Sequence, residues 1–151
     1  MSISMTIMVV KDSTSVKFVI FPLLKDRIIK KQSPLSAHIV GKHSKKLNIN
    51  ANKIAAGGGS AGGHLAAACG NIENLEGPNE DLSISSKPNA LVLFNPVYDN
   101  SKKGYGFRRM EGRHLEISPL HNITKGAPPT IVFFGTNDKT TPVVSSKEYE
   151  Q

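Results

Sequence analysis

The 151-residue chain carries 19 Lys and Arg against 12 Asp and Glu, with one Cys and no Trp. That length suits one domain, and 38% hydrophobic with 21% charged residues points away from a disordered or membrane-embedded chain. A single Cys excludes a disulfide framework and a Cys-based structural zinc site.

Charge and glycine divide the chain in opposite senses. Residues 1–50 hold nine Lys and Arg against Asp12 and Asp26, which accounts for the whole net charge of +7. Gly41 is the only glycine of that stretch, and the other twelve follow it. We therefore divide the chain into a basic leader, residues 1–32, and a body, residues 33–151. The leader opens MSISMTIMVV, without a positive n-region or a small-residue cleavage site, so no secretory signal is read there and a cytoplasmic location is slightly favoured. No run reaches the ~20 apolar residues that cross a bilayer, so no membrane partner is expected. The leader lysines lack clustered arginines and interleaved aromatics, so they read as a solvated face and no nucleic-acid partner is expected.

Val16–Phe21 reads as a strand stopped by Pro22. Ser33-Pro34 opens a predicted helix to about Lys46, with Ser33 as N-cap and Pro34 at the first helical position. Leu35, Ile39, His43 and Leu47 recur at i, i+4 spacing and form its predicted inner face. Ile54-Ala55-Ala56 is a short apolar strand that runs into Gly57-Gly58-Gly59-Ser60-Ala61-Gly62-Gly63, and a helix of small residues continues through His64 to Cys69. Residues 71–89 are polar and loop-like. Ala90–Phe94 is a second apolar strand closed by Asn95-Pro96, and Pro129–Gly135 is a third. A helix begins near Ser145. Short, fully apolar strands fed by helices predict a mostly parallel sheet covered on both faces, a partial doubly wound α/β architecture.

Gly58-Gly59-Ser60-Ala61-Gly62 fits G-x-S-x-G between a predicted strand and a predicted helix. That context suits a nucleophile elbow, a turn so sharp that the serine is strained and its neighbours must be small. The elbow glycines Gly58, Gly59 and Gly62 would permit the close approach. The N–H of Ala61 and the N-terminus of the following helix would favour developing negative charge. A glycine-rich strand–helix turn can also cradle phosphate, but the segment fits neither the dinucleotide fingerprint nor a P-loop. The five histidines form no metal-ligand pattern, and neither a metal nor a cofactor is expected.

The stretch from Asn52 to Ala67, with Leu93–Asn100 and Ile117–Asp138, resembles α/β-hydrolase esterases and lipases, nearest the acetylesterase-like and feruloyl-esterase-like members. The likeness runs from about residue 36 to 150 and is strongest from Asn52 onward. It implies a three-layer α/β/α fold and a carboxylic-ester hydrolase acting through an acyl-enzyme. Ser60 is then the nucleophile, Ala61 an oxyanion-hole donor and Asp138 the triad acid, with Asp99 as the rival acid. The partner implied is a small ester, with an acylated carbohydrate among the options, and the oligomeric state is left open.

Two parts of that pattern have no counterpart. No histidine follows His121, although the family places its base after the acid, and no His-Gly-Gly-type loop occurs in residues 1–50. The chain is therefore expected to hold the middle of the fold, incomplete, with the early strands replaced by the leader. His64, one turn past Ser60, reads as a packing histidine; His114 and His121 are weak candidates for a base. A serine without a base predicts weak or absent hydrolysis. The alternative is a non-catalytic fragment or interaction module with a basic N-terminal segment. Such a sheet would expose its third apolar strand as an edge unless a partner or the leader covers it.

Overall fold

The structure, a computed structural model, describes residues 4–12, 15–22, 33–73, 81–109, 112–141 and 143–149, with side chains from residue 38. The apolar runs form strands in the described order. They are β1 (Ser4–Asp12), β2 (Ser15–Pro22), β3 (Ile54–Gly59), β4 (Ala90–Phe94) and β5 (Thr130–Phe133). The helices are α1 (Ser33–Lys42), α2 (Ser44–Leu47), α3 (Ala61–Asn71) and α4 (Val144–Tyr149). The strands make one sheet in the order β2-β1-β3-β4-β5.

The three body strands are parallel, in register from Ala55 beside Ala90 to Gly59 beside Phe94, and from Leu91 beside Thr130 to Phe94 beside Phe133. Parallel neighbours need a crossover, and α3 supplies the one between β3 and β4. On the α3 side, Leu91 and Leu93 are fully buried with Ile54, Ala56, Leu65, Ala66 and Ala67. Every residue of α3 from Gly62 to Asn71 is buried, so its run of alanines and glycines is that of a central helix rather than a surface one. Tyr98 joins the same core and stacks on Tyr149 at 3.9 Å between ring centroids, which holds α4 to it. Cys69 lies buried on α3 within this core.

On the opposite side of the sheet, alternation turns Phe94 outward, and it stacks on Phe133 at 5.1 Å. Phe94, Ile131 and Phe133 are each about half exposed.

Three expectations are corrected or extended. The segment expected as a leader contributes strands: β1 pairs antiparallel with β2 and, through Thr6 to Val9, antiparallel with β3 from Gly57 back to Ile54. It therefore pairs beside the elbow strand and leaves β5 outermost among the described strands. Only the strand over 16–21 had a local signal; the pairing is non-local. The single helix expected over 33–46 is divided at His43, although the His43 amide still donates to Ile39 O and the Leu47 amide to His43 O.

Its inner face also differs. His38 and Val40 are buried, whereas Ile39 is 39% exposed and His43 is exposed. A Cβ on Gly41 would come within 3.2 Å of Ile84, so the segment around Ile84 covers α1 from a second side and overrides the helix's own period. The Ser33 cap and Leu35 fall outside the described side chains, as does part of the 71–89 loop. Among the described residues no helix is long and apolar enough to cross a membrane.

Candidate active site

The strand–turn–helix unit begins with β3, which extends through all three glycines before the chain reverses at Ser60. Ser60 holds φ 52°, ψ −118°, a backbone conformation that L residues rarely occupy. Two backbone bonds fix the reversal: the Ser60 amide donates to Phe94 O at 2.9 Å, and the His64 amide donates to Ser60 O at 3.0 Å. Ser60 is the N-cap of α3, yet its hydroxyl makes no capping bond. A serine at that position ordinarily satisfies an N-terminal amide with its side chain. Here the hydroxyl is left to other chemistry, and the Ala61 amide begins a buried eleven-residue helix whose N-terminus carries partial positive charge.

Glycine is required at this turn for space. A Cβ on Gly58 would lie 2.6 Å from the carbonyl carbon of Gly62, backbone against backbone. A Cβ on Gly63 would lie 2.9 Å from Gly58 O and from Pro96 Cβ. Gly59 is different: its nearest neighbour would be 3.8 Å away, so the room it leaves is ordinary. Of the elbow glycines read from the motif, Gly58 and Gly62 face each other across the turn, and Gly59 has no steric need to be glycine. Gly63 was not singled out in the sequence, although it sits in the same cluster.

Asp138 lies on the loop beyond β5, and its own loop holds it. Oδ1 accepts from the amides of Thr140 at 2.8 Å and Thr141 at 2.9 Å, and Oδ2 accepts from Thr141 Oγ1 at 2.8 Å. These bonds, the Thr141 amide above all, hold its carboxyl below the ordinary carboxylate range.

Asp99, the rival acid, caps its own turn through the Ser101 amide at 2.7 Å and the Ser101 hydroxyl at 3.0 Å. Ser60 with Ala61, Asn95 and Asp138 thus mark the C-terminal ends of three successive parallel strands. That is the end of an open α/β sheet where binding sites form.

The histidines are otherwise engaged. His64 is buried and its Nε2–H donates to Ile117 O at 2.7 Å; burial pushes its pKa down, against the raising effect of that bond. It is a neutral tie between α3 and the loop before Pro119. His121 donates from Nδ1 to Ser118 Oγ at 2.8 Å, because that hydroxyl directs its own proton to Tyr98 O. His114 packs edge-on against Phe107. Among the described residues no histidine hydrogen-bonds Asp138 or Ser60, and no group of three or more His, Cys, Asp or Glu could hold a metal ion.

Residues 36–102 match the BD-FAE family. The chain is also similar to solved structures of esterase 2 from Thermogutta terrifontis. The form phosphoramylated by tabun has 36% identity and a TM-score of 0.77, covering 87% of this chain and 52% of that one. The apo form has 37% identity and a TM-score of 0.76, with coverage of 87% and 53%. The propionate-bound form has 35% identity and a TM-score of 0.75, with coverage of 87% and 53%. No curated protein matches the chain. The described sheet and helices have the esterase-type α/β-hydrolase fold, and the chain spans about half the length of the structures it matches.

Proposed function

We propose that the chain carries the nucleophile, one oxyanion-hole donor and the acid of a serine carboxylester hydrolase, and that these 151 residues alone turn over esters slowly. The observation that carries the reading is Ser60: φ 52° at a strand–helix reversal, with a hydroxyl that does not cap its helix. In the reaction, Ser60 Oγ adds to the ester carbonyl carbon while the Ala61 N–H and the α3 N-terminus stabilise the oxyanion. Collapse releases the alcohol, its alkoxide taking up through solvent water the proton that Ser60 gave up, and leaves an acyl-serine, which water then cleaves to the carboxylic acid and free Ser60.

Asp138 is suited to orient an imidazolium through its carboxylate, but no histidine follows it in this sequence. With His64 neutral and bonded to Ile117 O, the serine proton has no strong acceptor within the turn. A small acyl group is the substrate class, since the related esterase has been solved with propionate and with butyrate bound.

The test pairs two assays on the purified chain and on Ser60→Ala. A fluorophosphonate should label Ser60 slowly, in preference to the other serines, and should not label that site in the variant. Aryl-acetate hydrolysis should fall below that of an esterase with an intact triad by a factor of roughly 10⁴ or more. Ordinary esterase rates abolished by Ser60→Ala would overturn the lack of a base. Labelling without preference for Ser60 would overturn the nucleophile.

A further inference from the structure

Asp138 is reached from the end of β5 in two steps. The chain turns first at Gly135, where the Asp138 amide donates to Gly135 O at 3.1 Å and fixes the backbone of the acid. The side chain then folds forward onto Thr140 and Thr141. Two amides meet Oδ1, at 2.8 and 2.9 Å, and one hydroxyl meets Oδ2, at 2.8 Å. Among the described residues no ion pair reaches this carboxylate, so hydrogen bonds rather than a cation place it.

The amides and the hydroxyl constrain different freedoms. An amide donates whatever side chain its residue carries, and both amides pin the same oxygen. With Oδ1 alone held, small changes of χ1 and χ2 can still swing Oδ2, because the terminal torsion of an aspartate is broad. A bond to Oδ2 removes that freedom. Its donor belongs to Thr141, which is 3% exposed, whereas Thr140 is exposed. Burial and the β-branch fix the Thr141 rotamer, so the hydroxyl is aimed in advance. A buried hydroxyl needs an acceptor, and here Oδ2 is that acceptor.

We infer that Thr141 is a positioning residue, whose buried hydroxyl fixes Oδ2 and with it the plane in which the Asp138 carboxylate meets an N–H. The inference rests on the proposed role of Asp138 as the acid. That role needs a set plane, since a carboxylate orients an imidazole only from a fixed direction.

The test follows the carboxyl carbons by NMR during a pH titration of the full chain. Thr141→Val keeps the buried shape and both amides and removes the hydroxyl. The Asp138 midpoint should move to higher pH in that variant, toward the ordinary carboxylate range, because a donor to the charged form is lost. Thr141→Ser returns the donor and should bring the midpoint back toward the wild-type value. Thr140→Val keeps the Thr140 amide and should leave the midpoint in place. The Asp99 midpoint should hold in all three variants. In the wild-type chain, the Thr141 hydroxyl proton should exchange slowly with water above the Asp138 midpoint and quickly below it, a readout that needs no variant. An unmoved Asp138 midpoint in Thr141→Val, or a common shift of all carboxylates, would overturn the proposal. So would an equal rise in Thr140→Val, a Thr141→Ser chain that behaves as Thr141→Val does, or a hydroxyl proton indifferent to pH. Fluorophosphonate labelling of wild-type Ser60 is scored separately. Its failure beside an intact Asp138 shift would remove the nucleophile reading and leave Thr141 holding the carboxylate. A missing shift in a labelled protein would remove Thr141 alone.

Discussion

The nucleophile turn and the acid loop lie at the same end of the sheet but are held in opposite ways. Ser60 owes its conformation to a remote partner, the Phe94 carbonyl of β4, and to the packing of α3 on the sheet, where glycines on either side of it let strand and helix meet. Asp138 is held mostly by Thr140 and Thr141, its immediate neighbours. Strain in the elbow is therefore supported by the core, and damage there should reach global stability. The acid loop is self-contained, and changes there should alter charge and orientation more than folding.

The sharpest test of that contrast is Gly58→Ala. The new methyl meets Gly62 backbone at 2.6 Å, which no rotamer can relieve. Thermal unfolding should show a loss of about 3 kcal/mol. A variant as stable as the wild type would mean that the elbow is not supported by the core.

His64 comes next. Its bond to Ile117 O ties α3 to the loop that leads to Pro119, and His64→Ala leaves that carbonyl without its donor. Denaturant titration should show a loss of about 2 kcal/mol. The folded chain disfavours a proton on His64, whereas the unfolded chain accepts one below about 6.5. Stability from this group is complete above that value and is lost as pH falls toward the lower folded one. His64→Gln, which can still donate but does not titrate, should flatten stability between neutral pH and that region. An unchanged pH dependence would show that burial does not control the ring.

The smallest effect is expected at Gly59. With ordinary room for a Cβ, Gly59→Ala should change stability by no more than about 0.5 kcal/mol, on a denaturant curve with unchanged slope. A loss as large as that of Gly58→Ala would erase the distinction between the two neighbours.

The same contrast explains what could be read from the chain. β4 occupies Ala90–Phe94 as expected, because buried parallel strands are near-continuous apolar runs. The elbow was legible because its sterics concentrate small residues in one short stretch. What escaped depends on partners remote in sequence. Nothing near Ile39 signals that Ile84 will cover Gly41 and turn the inner face of α1. Nothing in residues 4–12 names β3 as their neighbour. Asn95-Pro96 was visible as a stop, but the Asn95 amide is fastened to Phe133 O, a partner that a local reading cannot place.

Cys69 gives the molecule a clock. It is the only thiol in the chain, and it lies buried on α3 in the core cluster, where a water-borne reagent has little access to it while the helix is seated. The rate at which an aromatic disulfide consumes that thiol under native conditions then times how often the helix behind Ser60 lifts away.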